Sequence, residues 1–484
     1  MRLALLTLDP VVTDLVKTSL WSQVYTLGGL LLGLFALARL LSERRQPANT
    51  LAWLFAILLL PWVAVPLFLL FGGRKIRRLA NRKRRLRLPA PPADRPSAVT
   101  VAHPVTQTMR THGAGDAVGG NAVQLLTSGE ETFAELERQI LAARHSIHIA
   151  TYILGRDRVG KHLVELLARR AREGVQVRLQ LDALGCFFSS GRFVEPLRQA
   201  GGEVAKFLPV LPLSSRGSAN LRNHRKIAVF DRHTALIGGH NLAREYLGPQ
   251  PWSKRWTDVG AVLRGPAAAL LDEVFAADWA FATGRPLSYA EPGPERPAPG
   301  AGASDVQVVA SGPDVSGDPL YEGILAMIQE SQQSIWIVTP YFIPDEVLLR
   351  SLVVKARAGR DVTLILPARS NHPITDLARR PYLRQLVRAG ARVLAYQTRM
   401  LHAKAIIVDE KFGLIGSANV DMRSLFVNFE IGVVLHSAPD GRALRTWAGE
   451  LAAESRPLTL ADLKRPRFPA NLAEDLSRLL APLL

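Results

Sequence analysis

One residue in 484 is cysteine, Cys186, so no intrachain disulfide can form. That suits a reducing compartment and removes disulfide scaffolds from consideration. The chain has no His-Glu-x-x-His, no Cys/His cluster and no dense carboxylate set, so neither a metal nor another cofactor is expected. The glycines at Gly113, Gly115, Gly119 and Gly120 lack dinucleotide-loop spacing and follow no expected strand, so they read as loop. Acidic residues are in deficit: 42 Asp and Glu against 60 Lys and Arg leave a net charge of +18. That predicts an anionic partner, membrane lipid or nucleic acid, without choosing between them. No charge interrupts the run from Leu51 to Gly72.

That run and residues 20–41, mostly apolar with Arg39 near the end, are each long enough to span a bilayer core, which takes about 20 apolar residues. A cleaved signal peptide would explain the first, with Ala36-Leu37-Ala38 as the cleavage site. The long preceding stretch with Asp9 and Asp14, and the second run close behind, argue against it. The expectation is a two-helix transmembrane hairpin over 20–73, after an N-terminal segment 1–19. Residues 43–49 hold Arg44 and Arg45, whereas residues 74–88 hold nine basic residues. The larger cluster should stay cytoplasmic, placing both chain ends and the long stretch after the second run there. A juxtamembrane basic run also favours anionic lipid over nucleic acid.

A basic, Pro/Ala/Gly-rich linker is expected over 74–120, and from about residue 121 strands alternate with helices. Residues 131–144 read as helix, 146–152 as strand, 160–173 as helix stopped by Gly174, and 175–181 as strand. The order recurs: helix 320–333, strand 334–341, helix 345–358 stopped by Gly359, strand 361–366. Such an internal duplication implies two pseudo-symmetric α/β sandwich domains, 121–285 and 304–484, joined by a linker over 286–303.

Each half carries one copy of a motif. His224-Arg225-Lys226 is followed by Asp231 and Gly238-Gly239-His240-Asn241; His402-Ala403-Lys404 is followed by Asp409 and Gly416-Ser417-Ala418-Asn419. The shared spacing His-x-Lys-x4-Asp-x6-Gly-Gly/Ser-x-Asn implies one active site that needs each residue type twice. If the triplets lie in strands, His224 and Lys226 point one way, as do His402 and Lys404. Asp231 and Asp409 have the other parity and read as supports within the catalytic set. A neutral imidazole can attack phosphorus, and a second, as imidazolium, can protonate the leaving alkoxide. Lysine ammoniums and asparagine amides can neutralise the transition state's equatorial oxygens. Two halves meeting face to face would put His224 and His402 on opposite sides of one phosphate.

The double motif resembles the phospholipase D superfamily, and its surroundings narrow the likeness to the bacterial cardiolipin synthases. Those surroundings are residues 220–226, Thr339-Pro340-Tyr341-Phe342-Ile343-Pro344, residues 416–424, Asn428-Phe429-Glu430, and Thr50-Leu51-Ala52-Trp53 in the hairpin. The resemblance implies that one phosphatidylglycerol forms a phosphatidyl-histidine and releases glycerol, and a second resolves it to cardiolipin. It implies phosphate-binding roles for Lys226, Lys404, Asn241 and Asn419, with Ser417 adding a hydrogen bond. Asp258 and Glu430 would orient the two histidines. The residues themselves do not rank the histidines; the likeness makes His224 the nucleophile and His402 the acid, then the base. Arg222 and Arg423 are candidates for a headgroup phosphate. A phospholipase D or another phosphatidyltransferase would use the same residues with another acceptor, and the membrane spans count against a nuclease.

Overall fold

The computed structural model describes residues 10–41, 47–71, 103–208, 221–287, 302–315, 317–465, 467–468 and 470–479. They fall into an N-terminal helical unit and a much larger body. In the first, Pro10–Leu41 is one helix, beginning well before the apolar run inside it. Its window Trp21–Ala38 is, among the described residues, the one helical stretch long and apolar enough to cross a membrane. The second apolar run is not one helix but two, Pro47–Leu59 and Pro61–Phe71. Pro61 has no N–H for the helical ladder, which explains the break. The ladder resumes at once, Ala64 N–H donating to Leu60 O at 2.8 Å. The three helices pack through Ala36, Leu40, Ile57, Ala64, Val65 and Phe68. Gly29 admits the Trp62 indole, which a Cβ there would meet at 3.0 Å. Arg44, Arg45 and the basic run 74–88 lie outside the described residues, as does most of the expected linker 286–303.

The body begins earlier than composition implied. Pro104–Thr111 is a helix, capped by the His103 ring and started by a proline, within the stretch expected to be a tether. The strands then run β1 (Val118–Leu126), β2 (Ser146–Thr151), β3 (Gln176–Asp182), β4 (Glu203–Phe207), β5 (Ile227–Phe230), β6 (Thr234–Gly238) and β7 (Gly260–Arg264). After them come β8 (Ser304–Ser311), β9 (Ser334–Val338), β10 (Phe342–Ile343), β11 (Asp361–Pro367), β12 (Arg392–Tyr396), β13 (Ala405–Val408), β14 (Phe412–Gly416), β15 (Val420–Asp421), β16 (Glu430–Leu435) and β17 (Ser455–Pro457). The expected helices are present as Gly129–Ala142, Arg158–Arg172, Pro319–Glu330 and Glu346–Arg357. Asp157 caps the second through the Val159 and Gly160 amides, and Asp345 caps the fourth through Leu348 N–H. Gly174 and Gly359, at φ 92° and 79°, turn the chain out of the second and fourth.

In sheet order the first half reads β1-β7-β6-β5-β2-β3-β4 and the second β8-β16-β14-β13-β9-β11-β12, with β17 beyond it. β2, β3 and β4 are parallel neighbours, as are β9, β11 and β12, so both halves are mixed α/β sheets. They do not stand as separate sheets. β1 pairs antiparallel with β8, giving one sheet of 15 strands. A common core joins Ile227, Val229 and Ile237 of the first half to Val308, Ile407 and Val433 of the second. The seam is therefore covered by apolar packing, and both motif strands lie near it.

Candidate active site

β5 and β13 begin immediately after Lys226 and Lys404, so each His-x-Lys triplet is an extended lead-in rather than part of the strand ladder. The lead-ins are held across the seam. His224 N–H donates to Phe429 O at 2.9 Å, and Phe429 N–H to Arg222 O at 2.9 Å. His402 N–H donates to Thr257 O at 2.7 Å, and Thr257 N–H to Met400 O at 2.8 Å. Phe429 and Thr257 directly precede the two carboxylates expected to support the histidines. The backbone pairing thus delivers Glu430 to His224 and Asp258 to His402, each from the opposite half.

The side chains complete the exchange. His224 Nδ1 lies 3.0 and 3.1 Å from the Glu430 carboxylate oxygens. His402 Nδ1 lies 2.7 Å from Asp258 Oδ2. An ionised carboxylate only accepts, so Nδ1 carries the proton in each ring and Nε2 keeps the lone pair for chemistry. Both carboxylates are buried, and the cations around them hold them below the usual range despite that burial.

The lysines differ. Lys226 Nζ donates to His224 O at 2.7 Å and lies over the Tyr152 ring. Lys404 Nζ sits against the His402 ring, 2.7 Å from Nδ1 and 3.1 Å from Nε2. Burial pushes His224 down to about 4 and His402 down to about 3, opposed in each case by its carboxylate. Lys404 helps depress His224, and Lys226 helps depress His402, so the two motifs share one electrostatic site. Burial also lowers Lys226 to about 7 and Lys404 to about 8.

Three of the expected site residues are bound to backbone or to a carboxylate. Asp231 and Asp409, grouped with the catalytic residues, bind backbone. Asp231 accepts from the amides of Arg144, His145 and Ser146 at 2.7–2.8 Å, and Asp409 from those of Gln332, Gln333 and Ser334 at 2.7–2.8 Å. Both have positive φ, 50° and 52°, in the β5–β6 and β13–β14 turns, so they clamp the start of β2 and β9 far along the strands from the histidines. Ser417, expected on phosphate, is fully buried and donates to Glu430, while Ile431 N–H donates to its Oγ at 3.0 Å. It positions the carboxylate that positions His224. Its counterpart Gly239 has no space for a side chain: a Cβ there would stand 2.2 Å from Asp258 Oδ1. The Gly/Ser difference between the motifs is thereby matched to Asp in one half and the longer Glu in the other.

The asparagines are beside the site. Asn241 Oδ1 accepts from Ile153 N–H at 3.2 Å, and its side chain also bonds Tyr246, whose ring packs edge-on to His402. Asn419 bonds Asp421. Residues not singled out from sequence also belong here. The Tyr152 ring meets His224 edge-on at 4.9 Å. Asp182, at the end of β3, accepts from the amides of Leu184, Gly185 and Asn223 at 2.9 Å and so holds the lead-in to His224. Arg225, between the motif residues, points away to Asp278 at 2.6 and 2.7 Å and donates to Glu430 O at 2.9 Å. Alternation within the triplet could have flagged Arg225.

The family model for the phospholipase D-like domain of cardiolipin synthase matches residues 136–279 and 324–451, and one for the N-terminal segment of phospholipase D nucleases matches 31–73. The chain is 35% identical to the cardiolipin synthase of Geobacillus thermodenitrificans, over 94% of this chain and 95% of that one. It is 32% identical to cardiolipin synthase 1 of Bacillus anthracis, over 100% and 98%. The phosphatidylserine synthase of Haemophilus influenzae shares the fold, with a TM-score of 0.61 at 14% identity, over 78% of this chain and 99% of that one. A domain model matching both halves, and relatives above 30% identity along nearly the whole length, lead to one conclusion: this chain belongs to the bacterial cardiolipin synthase family of the phospholipase D superfamily.

Proposed function

We propose that the enzyme joins two phosphatidylglycerols into cardiolipin through a phosphatidyl-histidine. His224 Nε2 attacks the phosphorus of the first lipid, the bond to its glycerol headgroup breaks, and His402 gives that glycerol its proton. His402 then takes the proton of a hydroxyl on a second phosphatidylglycerol, whose oxygen displaces His224 from phosphorus. Lys226, Lys404, Asn241 and Asn419 face the equatorial oxygens, and nothing in these steps requires a metal. The observation that carries the reading is the crossed pairing: both imidazoles are held through Nδ1 by a carboxylate of the other half, leaving two Nε2 atoms at one site. That is the arrangement in-line displacement with a reciprocal acid and base needs. The less encumbered Nε2 is that of His224, since Lys404 lies against the His402 ring; this supports His224 as nucleophile. On substrate arrival Lys404 would turn to phosphate, freeing His402 to hold a proton.

The matched strand orders support two pseudo-symmetric halves. A two-span hairpin with the catalytic body in the cytoplasm remains the membrane reading. It is supported by outward-facing Leu27, Leu30, Leu31, Leu34 and Phe35 on the first helix, and Phe55, Leu58, Leu59 and Val63 on the next two. The test is purified enzyme in mixed micelles with labelled phosphatidylglycerol. Equal amounts of cardiolipin and free glycerol are expected; phosphatidic acid instead would make water the acceptor and overturn the transfer.

A further inference from the structure

Several exposed apolar side chains have no role in the fold. Phe187 and Phe188 are 62% and 76% exposed, packed edge to face on one another, with Leu184 exposed beside them. They stand in the turn after β3. β3 is parallel to β2, and β2 is antiparallel to β5, so this turn leaves the sheet at the edge where the His224 lead-in enters. It is fastened there. Asp182 binds the amides of Leu184 and Gly185, and the buried Cys186 thiol donates to Tyr152 O at 3.2 Å and accepts from Leu154 N–H at 3.2 Å. Tyr152 is the ring against His224.

The second half repeats the arrangement with different residues. The segment after β11 leaves the sheet at the edge where the His402 lead-in enters. Asn371 fastens it by accepting from Tyr341 Oη at 2.6 Å, and it exposes Ile374 and Leu377. Exposed Arg192 follows the first turn and exposed Arg369 starts the second. Apolar tips beside arginines suit one surface: acyl chains below, anionic headgroup phosphates above.

We propose that the turn carrying Leu184, Phe187 and Phe188 and the short helix Pro373–Ala378 carrying Ile374 and Leu377 form a rim on the catalytic body that inserts into an anionic phospholipid bilayer, so that a substrate headgroup can reach the histidines while its acyl chains stay in the membrane. The inference rests on the proposed reaction with bilayer phosphatidylglycerol. A tight, anchored turn inserts its aromatic pair without reordering the site, and the rim is a contact of the body itself.

Two measurements on the full-length enzyme test it. In the first, Phe187→Ser/Phe188→Ser is compared with wild type on long-chain phosphatidylglycerol in vesicles and on six-carbon phosphatidylglycerol as soluble monomers. The double variant is expected to lose about tenfold in kcat/KM on vesicles, from the lost insertion of apolar area, and to stay within about twofold on monomers. Equal loss on both substrates, or loss on neither, overturns the rim. If wild type itself makes no cardiolipin from either substrate, the proposed reaction fails instead. In the second, Phe188→Cys carries an environment-sensitive fluorophore, with the other cysteine, Cys186, buried and unreactive. In phosphatidylglycerol vesicles its emission should shift to the blue and be quenched by brominated acyl chains. Quenching by aqueous iodide alone would refute insertion.

Discussion

The Glu430 carboxylate accepts the Nδ1–H of His224 from 206 residues further along the chain, at 3.0 and 3.1 Å. Asp258 does the same for His402 in the opposite direction, at 2.7 Å. Neither half can orient its own histidine. Glu430→Gln keeps the shape but removes the charge that fixes the tautomer and stabilises an imidazolium. We expect kcat to fall about 10²–10³-fold with KM within a few fold, and Asp258→Asn to behave alike. Circular dichroism and melting should stay near wild type. A change in KM alone would mean the carboxylates serve binding rather than histidine orientation.

The Gly239/Ser417 difference is directional. Gly239→Ser drives a Cβ into Asp258 Oδ1, where 2.2 Å is available, and should destabilise the body by about 1–3 kcal/mol while displacing His402. Ser417→Ala removes the hydrogen bond to Glu430 and the one that Oγ accepts from Ile431 N–H, costing about 1–2 kcal/mol without pushing a group into the site. Thermal melts alongside transfer rates check this: the glycine change should be the more damaging of the two. The reverse ranking would show that Ser417 touches substrate after all.

Much of this was legible because the chain repeats itself. Duplicated spacing marked His224, Lys226, His402 and Lys404 as one site, and period-2 patterns placed β2, β3, β9 and β11 within a residue or so, apart from β9, which ends three residues sooner at Val338. The joining of the two sheets through β1 and β8 was not legible, because edge pairing depends on two strands 183 residues apart along the chain, Asn121 and Ser304 for instance. Parity marked Asp231 and Asp409 as supports, but what they support was not legible, for a related reason. Spacing ties them to the histidines, but positive φ and three backbone amides tie each to a turn. The split at Pro61 needed only the residue's missing N–H, which a hydropathy run does not register.

Asp231→Ala and Asp409→Ala test that supporting role. Each leaves three strand-start amides without their acceptor and puts a β-carbon residue at positive φ without the side-chain bonds that justified it. A loss of about 2–3 kcal/mol in stability is expected, with kcat per folded molecule within a few fold of wild type. Abolished turnover in a fully folded variant would return the aspartates to the chemistry.

Arg225 lies between His224 and Lys226 yet faces the opposite way, buried against Asp278 and the backbone oxygens of Glu430 and Ser311. Arg225→Ala would take the guanidinium away from the buried Asp278 carboxylate, at a cost of about 3–5 kcal/mol. It would also release the backbone of Glu430. The melting temperature should drop steeply, and Arg225→Lys, which keeps a charge but not the fork, should recover only part of it. A mild effect in both would mean the pair is dispensable.

The pH profile follows from the directions of the site's shifts. His224 and His402 lie at about 4 and about 3, so both imidazoles are neutral through most of the acid range and a nucleophile is available well below pH 6. Lys226 at about 7 and Lys404 at about 8 lose their protons as pH rises, removing the cations proposed to bind phosphate. His402 must hold a proton for the first step, so with soluble short-chain substrate kcat/KM should fall with rising pH above about 4, and fall more steeply from about pH 7 as the lysines lose charge, far earlier than an ordinary lysine near 10.5 would dictate. Lys226→Arg keeps its charge at every pH, so the steeper alkaline limb should move up to the Lys404 value of about 8, from a lower overall rate because the planar fork does not fit an ammonium's place. An alkaline limb unmoved by that change would assign the decline to another group and remove Lys226 from the phosphate.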